Sequence, residues 1–478
     1  MKTTLFLFTF ASSAFAALPA VGPDYQRPAV AAPAAYHDLP ADPGAWKLAA
    51  SAEVLPHGDW WTLFGDPALN DLEARALAAN QNLRAAAARV EQARAAAGLA
   101  RSAYFPSVVA DTSVDRGRTS RTTANVLPVE ETTTHRGALD ASWELDLFGR
   151  VRRLNEGARA EAAASAADFE NVRLALAAEV ASSYFSLRAL DREAAFVADG
   201  IDLRRRALEL VTSRRKNGAA TDFDVARAET ELASTEAESA ALANRRAALQ
   251  NALAVLLGEP APGFALSNLK SGIPTPPVIP AGLPSELLER RPDVAAAESA
   301  LAAANARIGV AKAAFFPAIS LTGSAGYASG DIDRLFNSGS RLWSIGPSLY
   351  LPIFQGGRNR ANLQRSRAAY EENVALFRQR VLVAFREVQD ALTATQLLAA
   401  QAAAQERAVA AARRAGTLAQ TRYDAGFVNY FEVIDAQRTV LNSERAATQL
   451  SAQRLVNSVA LVKALGGGWS AAPPVAAR

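Results

Sequence analysis

The side chains of this chain that could do chemistry are mostly charged, and none of their patterns is one that breaks bonds. The only histidines are His37, His57 and His135, in the N-terminal arm or a predicted surface loop, and their spacing offers no metal site. There is no cysteine, no G-x-x-x-x-G-K-[ST] loop and no G-x-S-x-G elbow. Three ordered sets remain. Asp111, Asp115, Asp140, Glu144 and Asp146 recur on one side of alternating segments. Arg204-Arg205-Arg206 and Arg214-Arg215-Lys216 form two basic triplets, which read as solvated faces, with docking to a partner as the alternative. Arg422, Tyr423, Phe431 and Asp435 bracket a turn containing Gly426, at or near one helical face. An arginine beside an acid can latch such a turn. Neither enzyme activity nor a cofactor or metal is expected.

The elements that carry these groups are of two kinds. Around 107–117, Val108, Ala110, Thr112 and Val114 alternate with polar residues. From 138 to 148, Leu139, Ala141, Trp143, Leu145 and Leu147 alternate with Asp140, Ser142, Glu144 and Asp146. A period of two with one apolar and one acidic face is a strand with oil on one side and water on the other. Ile319, Leu321, Ala325 and Tyr327, then Trp343, Ile345, Leu349, Leu351 and Ile353, repeat the pattern. The acids read as keeping the inner face wet. Trp143 and Trp343 read either as anchors at a membrane interface or as core packing. The small residues of Gly323-Ser324-Ala325-Gly326 suit a tight wall. The segments 118–134 and 329–340 read as polar loops.

Long helices flank the strands. Asp66 and Pro67 start one that reads to about Ala103. From Arg150 to about Arg215, and from about Gly357 to Tyr423, apolar residues keep helical spacing without proline. At ~1.5 Å per residue each would reach roughly 100 Å, a length that needs coiled-coil packing. Short turns, Asn217-Gly218-Ala219-Ala220 and Asp424-Ala425-Gly426-Phe427, lead into return helices. The whole arrangement occurs twice. Gly98 to Pro106 returns as Gly309 to Pro317, offset by 211 residues. Gly218 with Asp222-Phe223-Asp224-Val225 returns as Gly426 with Tyr430-Phe431-Glu432-Val433, offset by 208. Two structural repeats follow.

The 478 residues divide as follows. Residues 1–16 read as a signal peptide, with Lys2, an apolar core and Ala14-Phe15-Ala16. Residues 17–58 form an extended arm lying on something else. First-repeat helices occupy 59–105 and 149–258, with a strand pair at 106–148. A linker covers 259–283. Second-repeat helices occupy 284–316 and 356–466, with a strand pair at 317–355 and a tail at 467–478. The net charge of +3, from 51 basic and 48 acidic residues, argues against nucleic acid as a partner. No later stretch reaches ~18 apolar residues, so no transmembrane helix is expected. Four strands cannot close a membrane barrel, and open edges in lipid leave peptide groups unpaired. The strands are therefore expected to be pooled, three chains giving twelve.

The chain resembles the TolC-like outer-membrane factors, in the OprM/NodT branch. The matching residues are Val21-Gly22-Pro23-Asp24-Tyr25, Trp60-Trp61-Thr62-Leu63-Phe64-Gly65-Asp66-Pro67, Leu145-Asp146-Leu147-Phe148-Gly149-Arg150, Glu289-Arg290-Arg291-Pro292-Asp293, Pro352-Ile353-Phe354-Gln355-Gly356-Gly357 and Ile434-Asp435-Ala436-Gln437-Arg438. The resemblance implies an α+β membrane protein: a trimeric 12-stranded β-barrel continuing into a long α-helical barrel of coiled-coil helix pairs. It implies an outer-membrane exit duct of a tripartite efflux pump, with a protein-secretion duct as the alternative. A non-membrane periplasmic coiled coil is a more distant rival. Its partners would be two further copies, a periplasmic adaptor, an inner-membrane transporter of the RND type and outer-membrane lipid. Branch members carry a lipid-modified cysteine before the Gly-Pro-Asp-Tyr stretch. Ala16 to Ala20 stand there, so no acyl anchor is expected.

By the same resemblance, Arg422, Tyr423, Phe431 and Asp435 form a periplasmic gate. Asn217, Gly218, Ala219, Thr221 and Asp222, with Asp424, Gly426, Asn429 and Tyr430, would meet the adaptor.

Overall fold

The computed structural model describes residues 20–30, 33, 58–120, 131–267, 274–277, 279 and 291–469. The proposed signal peptide, most of the arm with His37 and His57, much of the linker, and residues 470–478 lie outside the described residues.

Four strands, β1 (Ser107–Arg118), β2 (Glu131–Leu145), β3 (Ala318–Ser329) and β4 (Arg341–Tyr350), form one antiparallel sheet in the order β1-β2-β3-β4. The helices are α1 (Pro67–Ala79), α2 (Gln81–Ser102), α3 (Arg150–Lys216), α4 (Asp222–Leu256), α5 (Pro292–Ala313), α6 (Arg358–Asp424) and α7 (Tyr430–Ala464). α3 and α6 each have 67 residues, and α4 and α7 each have 35. The contacts divide the chain into two compact units. One comprises residues 1–29, 89–166 and 296–377; the other comprises 30–88, 167–295 and 378–478.

The first unit is the sheet with its attached helix ends. Register sorts its side chains. Val108 pairs with Ala141, Ala141 with Gly323, and Gly323 with Ile345. Because successive side chains alternate in direction, these four share a face. So do Ala110, Leu139, Ala325 and Trp343, and the row Trp143, Leu321 and Pro347. The other face receives Asp140, Ser324 and Ser344, then Glu144, Ser320 and Ser348. Nearly all of β1 is exposed, and Trp343 is 78% exposed.

Two strand boundaries differ from the sequence reading. β2 begins at Glu131, seven residues before 138, so residues 131–134 of the expected loop are strand. His135 therefore sits in β2, opposite Val114 and Ser329, rather than in a loop. β4 stops at Tyr350, two residues before Pro352, which has no N–H to give a ladder. Ile353 lies beyond it, 93% exposed.

Three acids of the polar face are held by neighbours. Arg136 donates to Asp140 at 3.3 Å, and Arg150 grips Glu144 through Nε and Nη2 at 2.7 and 2.5 Å. Asp146 accepts the backbone N–H groups of Val151 and Arg152 and so caps α3. Part of the arm is strapped onto this unit. Val21 N–H donates to the Phe148 carbonyl at 2.9 Å, Asp24 pairs with buried Arg153 at 2.6 Å, and Arg27 pairs with Glu298.

The second unit has a packed core that includes Trp60, Leu69, Leu72, Tyr184, Phe185, Leu187, Leu253 and Leu257. Asp66 holds it at one point. Its carboxylate accepts Ala68 N–H at the head of α1, the Tyr184 hydroxyl at 2.8 Å and the Arg188 guanidinium. The helix expected from Asp66 to Ala103 is two helices. Asn80 turns to extended backbone between them. Its Oδ1 accepts Leu83 N–H at 2.9 Å, a donor that the break leaves free at the head of α2, and its Nδ2 donates to the Leu256 carbonyl at the end of α4 at 2.8 Å. Ion pairs bind the long helices. Arg246 of α4 reaches Asp191 of α3 at 2.5 Å, and Arg445 of α7 reaches Glu193 of α3 at 3.6 Å.

Candidate functional site

The two turns of the second unit are copies of each other down to the hydrogen bonds. In the first, Gly218 N–H donates to the Arg215 carbonyl at 3.0 Å and Ala219 N–H to Arg214 at 2.8 Å. In the second, Gly426 N–H donates to Tyr423 and Phe427 N–H to Arg422, both at 2.9 Å. This is the glycine-closed helix end in which a left-handed residue lets the chain reverse. Gly218 has φ +74° and Gly426 φ +76°. A Cβ at either position would meet nothing within 4 Å. Glycine is demanded here by the dihedral, not by crowding.

Each turn ends in a helix cap. Thr221 accepts Asp224 N–H at 3.2 Å while Asp224 accepts Thr221 N–H at 2.8 Å, a reciprocal capping box. Asn429 accepts Phe431 N–H at 3.1 Å. Arg215 clamps Asp222 across the first turn at 2.6 and 3.0 Å, and this bond holds the Asp222 carboxyl below the usual carboxylate range. The bonds from Thr221 do the same for Asp224.

The four expected gate residues differ in burial and in partners. Tyr423 is buried, 7% exposed. Its ring lies 5.2 Å from that of Tyr430, with the Arg214 guanidinium 4.8 Å from its centroid. Its hydroxyl has no hydrogen-bond partner among the described residues. Burial raises the Tyr430 hydroxyl above its usual range, and Tyr423 adds to this. Arg422 is exposed and faces Glu432 at 3.6 Å across the turn. Phe431 is covered by Arg227 at 4.0 Å, with Phe223 at 6.2 Å. Asp435 is exposed and bonded to Arg438 at 2.7 Å; Arg438 also approaches Glu231 of α4 at 4.0 Å.

Arg214, Phe223, Arg227, Glu432 and Arg438 thus contact the expected gate residues, and none of them was expected there. Arg214 and Arg215 are bound within the chain rather than being only solvated. Arg204 of the other triplet turns toward Glu231 at 3.8 Å. The duplication held a signal for one of these contacts, because Phe223 is the repeat equivalent of Phe431. Among the expected adaptor-contact residues, Asn217, Gly218, Ala219, Thr221, Asp222, Asp424, Gly426 and Asn429 are exposed, while Tyr430 is half-buried against Tyr423.

A sheet with one oily face, long paired helices and two glycine-closed turns define a channel-forming protein of a bacterial envelope. The family model described as outer membrane efflux protein matches residues 72–259 and 283–467. The solvent efflux pump outer membrane protein SrpC of Pseudomonas putida is 37% identical over 448 residues, covering 94% of this chain and 95% of that one. The cation efflux system protein CusC of Escherichia coli O6:H1 is 34% identical over 451 residues, with 94% and 95% covered. The solved structure of the outer-membrane channel OprN superposes with a TM-score of 0.86 at 32% identity, covering 94% of this chain and 99% of that one. The chain belongs to the outer membrane efflux protein family. Its place is the outer membrane of a Gram-negative cell, from which it extends into the periplasm, and its work there is efflux.

Proposed function

We propose that this chain is the exit duct of a tripartite pump and works as a trimer. Three sheets join edge to edge into a 12-stranded barrel, and the helices of three chains form the tunnel beneath. One observation carries this reading: the sheet is open. Among the described residues β1 and β4 each lack a neighbour on one side, one face is apolar, and the strands run 10 to 15 residues. Such strands are long enough to cross hydrocarbon, and lipid tolerates no unpaired edge.

The turns are the regulated end. The turn at Gly426 narrows the mouth, with Arg422, Tyr423, Phe431 and Asp435 at the constriction. The turns at Gly218 and Gly426 receive a periplasmic adaptor coupled to an inner-membrane transporter of the RND type. The adaptor reaches the constriction through the Phe431 and Tyr423 contacts, which tie the second turn to α3 and α4. The cargo belongs to the class that the transporter selects. SrpC is named for solvents and CusC for cations.

Cross-linking in cells from cysteines placed at Ala219 and Phe427, with identification of the captured proteins, tests this reading. Capture of an adaptor and a chain-chain trimer is expected. A well-folded single chain in detergent, with its sheet intact, would refute it.

A further inference from the structure

The apolar face of the sheet is not evenly filled. Ala141 and Gly323 stand side by side on the two central strands, with larger residues around them. Trp143 and Leu321 rise in the next row, and Ile345 stands beside Gly323. The result is a groove of about 390 Å³, walled by Trp143, Leu321, Ile345 and Pro106 and floored by Ala141 and Gly323. Ser142 and Thr322 complete the lining, and among the described residues no charged one lines it. One wall is fixed, because the Trp143 indole N–H donates to the Tyr104 carbonyl at 3.0 Å.

Two further facts decide what can fill it. The floor lies on β2 and β3, which are paired on both sides within this chain. A second copy that extends the sheet from β1 or β4 therefore leaves the groove uncovered. The groove is also continuous with the face carrying Val108, Leu139, Trp343 and Leu349, all more than half exposed. In an outer-membrane protein that face meets hydrocarbon. The floor residues lie within five positions of the strand ends that lead to the helices. If those helices are periplasmic, the groove opens into the periplasmic leaflet, where the lipids are phospholipids.

We infer that the groove seats one acyl chain of a phospholipid, retained by each copy as a fixed part of the barrel wall. This rests on the duct reading only for the choice of leaflet. A chain lying in the groove contacts indole and aliphatic walls that a flat barrel wall would not offer, and it fills a gap that would otherwise lose packing contacts.

The test uses the full-length protein purified in mild detergent, washed to strip loose lipid, and examined by native mass spectrometry. Gly323→Leu fills the groove. A side chain at 323 has room, since its Cβ would lie 3.7 Å from the nearest atom, the Ser344 carbonyl oxygen. Ala325→Leu, on the same face but outside the groove, is the control. The wild type and A325L should keep about one phospholipid per chain, and G323L should lose at least tenfold of it. A second reading holds even if G323L assembles poorly. In protein with Trp343→Phe, which removes the other tryptophan of the sheet, reconstituted in phosphatidylethanolamine with mid-chain bromine and then washed, quenching should persist. Equal retention by assembled G323L, loss of all lipid by the wild type, or retention of lipopolysaccharide or detergent instead would each overturn the proposal. A monomeric wild type that still held its phospholipid would count against the duct and not against the groove.

Discussion

Phe223 and Phe431 occupy the same place in the two repeats, and their rings meet at 6.2 Å between centroids. Each is the second residue of a return helix. Arg227, one turn further along α4, closes over Phe431 at 4.0 Å. The duplicated turns are thus joined to each other by residues that the duplication itself supplied. A partner that moves one turn has a direct route to the other.

That route predicts coupling between Arg227 and Phe431. In a double-mutant cycle with Arg227→Ala and Phe431→Ala, the interaction should be about 0.5–1 kcal/mol, as for a cation over a partly exposed ring. Spin labels at Ala219 and Val428 should give a broader distance distribution in F431A than in the wild type. An unchanged distribution would mean that the turns are held by other contacts.

Asp435 should limit conductance. Asp435→Ala is expected to raise single-channel conductance in planar bilayers and to weaken cation preference. Arg438→Ala, which removes the bonded cation but leaves the carboxylate, should strengthen cation preference. If D435A conducts as the wild type does, Asp435 is not part of the constriction.

The glycines of the turns separate folding from docking. Substitution by Ala at 218 or 426 meets no atom but must hold φ near +75°, at a cost of about 1–3 kcal/mol. Asn accepts that conformation more readily. Gly218→Asn should therefore keep thermal stability better than Gly218→Ala, measured by circular dichroism. If the turn also meets an adaptor closely, G218N should export poorly in cells although it folds. Normal export by G218N would limit Gly218 to ending its helix.

Glu73 sets a pH dependence. It lies on the buried face of α1 with Leu69, Leu72 and Ala76, fully covered, and neither carboxyl oxygen has a hydrogen-bond partner among the described residues. Burial alone pushes its carboxyl up to about 9 from an ordinary 4.5. The folded state then holds a proton that the unfolded chain releases. Its contribution to stability is complete below about 4.5 and is lost progressively as pH rises toward about 9. Glu73→Gln stays neutral throughout. The melting temperature of E73Q minus that of the wild type should grow between pH 5 and pH 9, and a difference independent of pH would show that Glu73 is already ionised.

Much of this protein was written in local pattern. The alternation from Leu139 to Leu145 reports a two-faced strand because side chains on a strand alternate by geometry. The glycine in each turn reports a helix end because few other residues tolerate a positive φ. What tertiary structure alone decided are partnerships between distant segments. Asn80 breaks a helix that its neighbours would continue, because the Leu256 carbonyl is there to receive its amide. Tyr423 and Asp435 both flank the second turn, yet packing of Tyr430 and Arg214 covers the first and leaves the second in water. The groove over Gly323 exists only because register sets it beside Ala141 and Ile345. Such contacts depend on which residues meet across hundreds of positions, and a linear pattern of periods and caps carries no term for that.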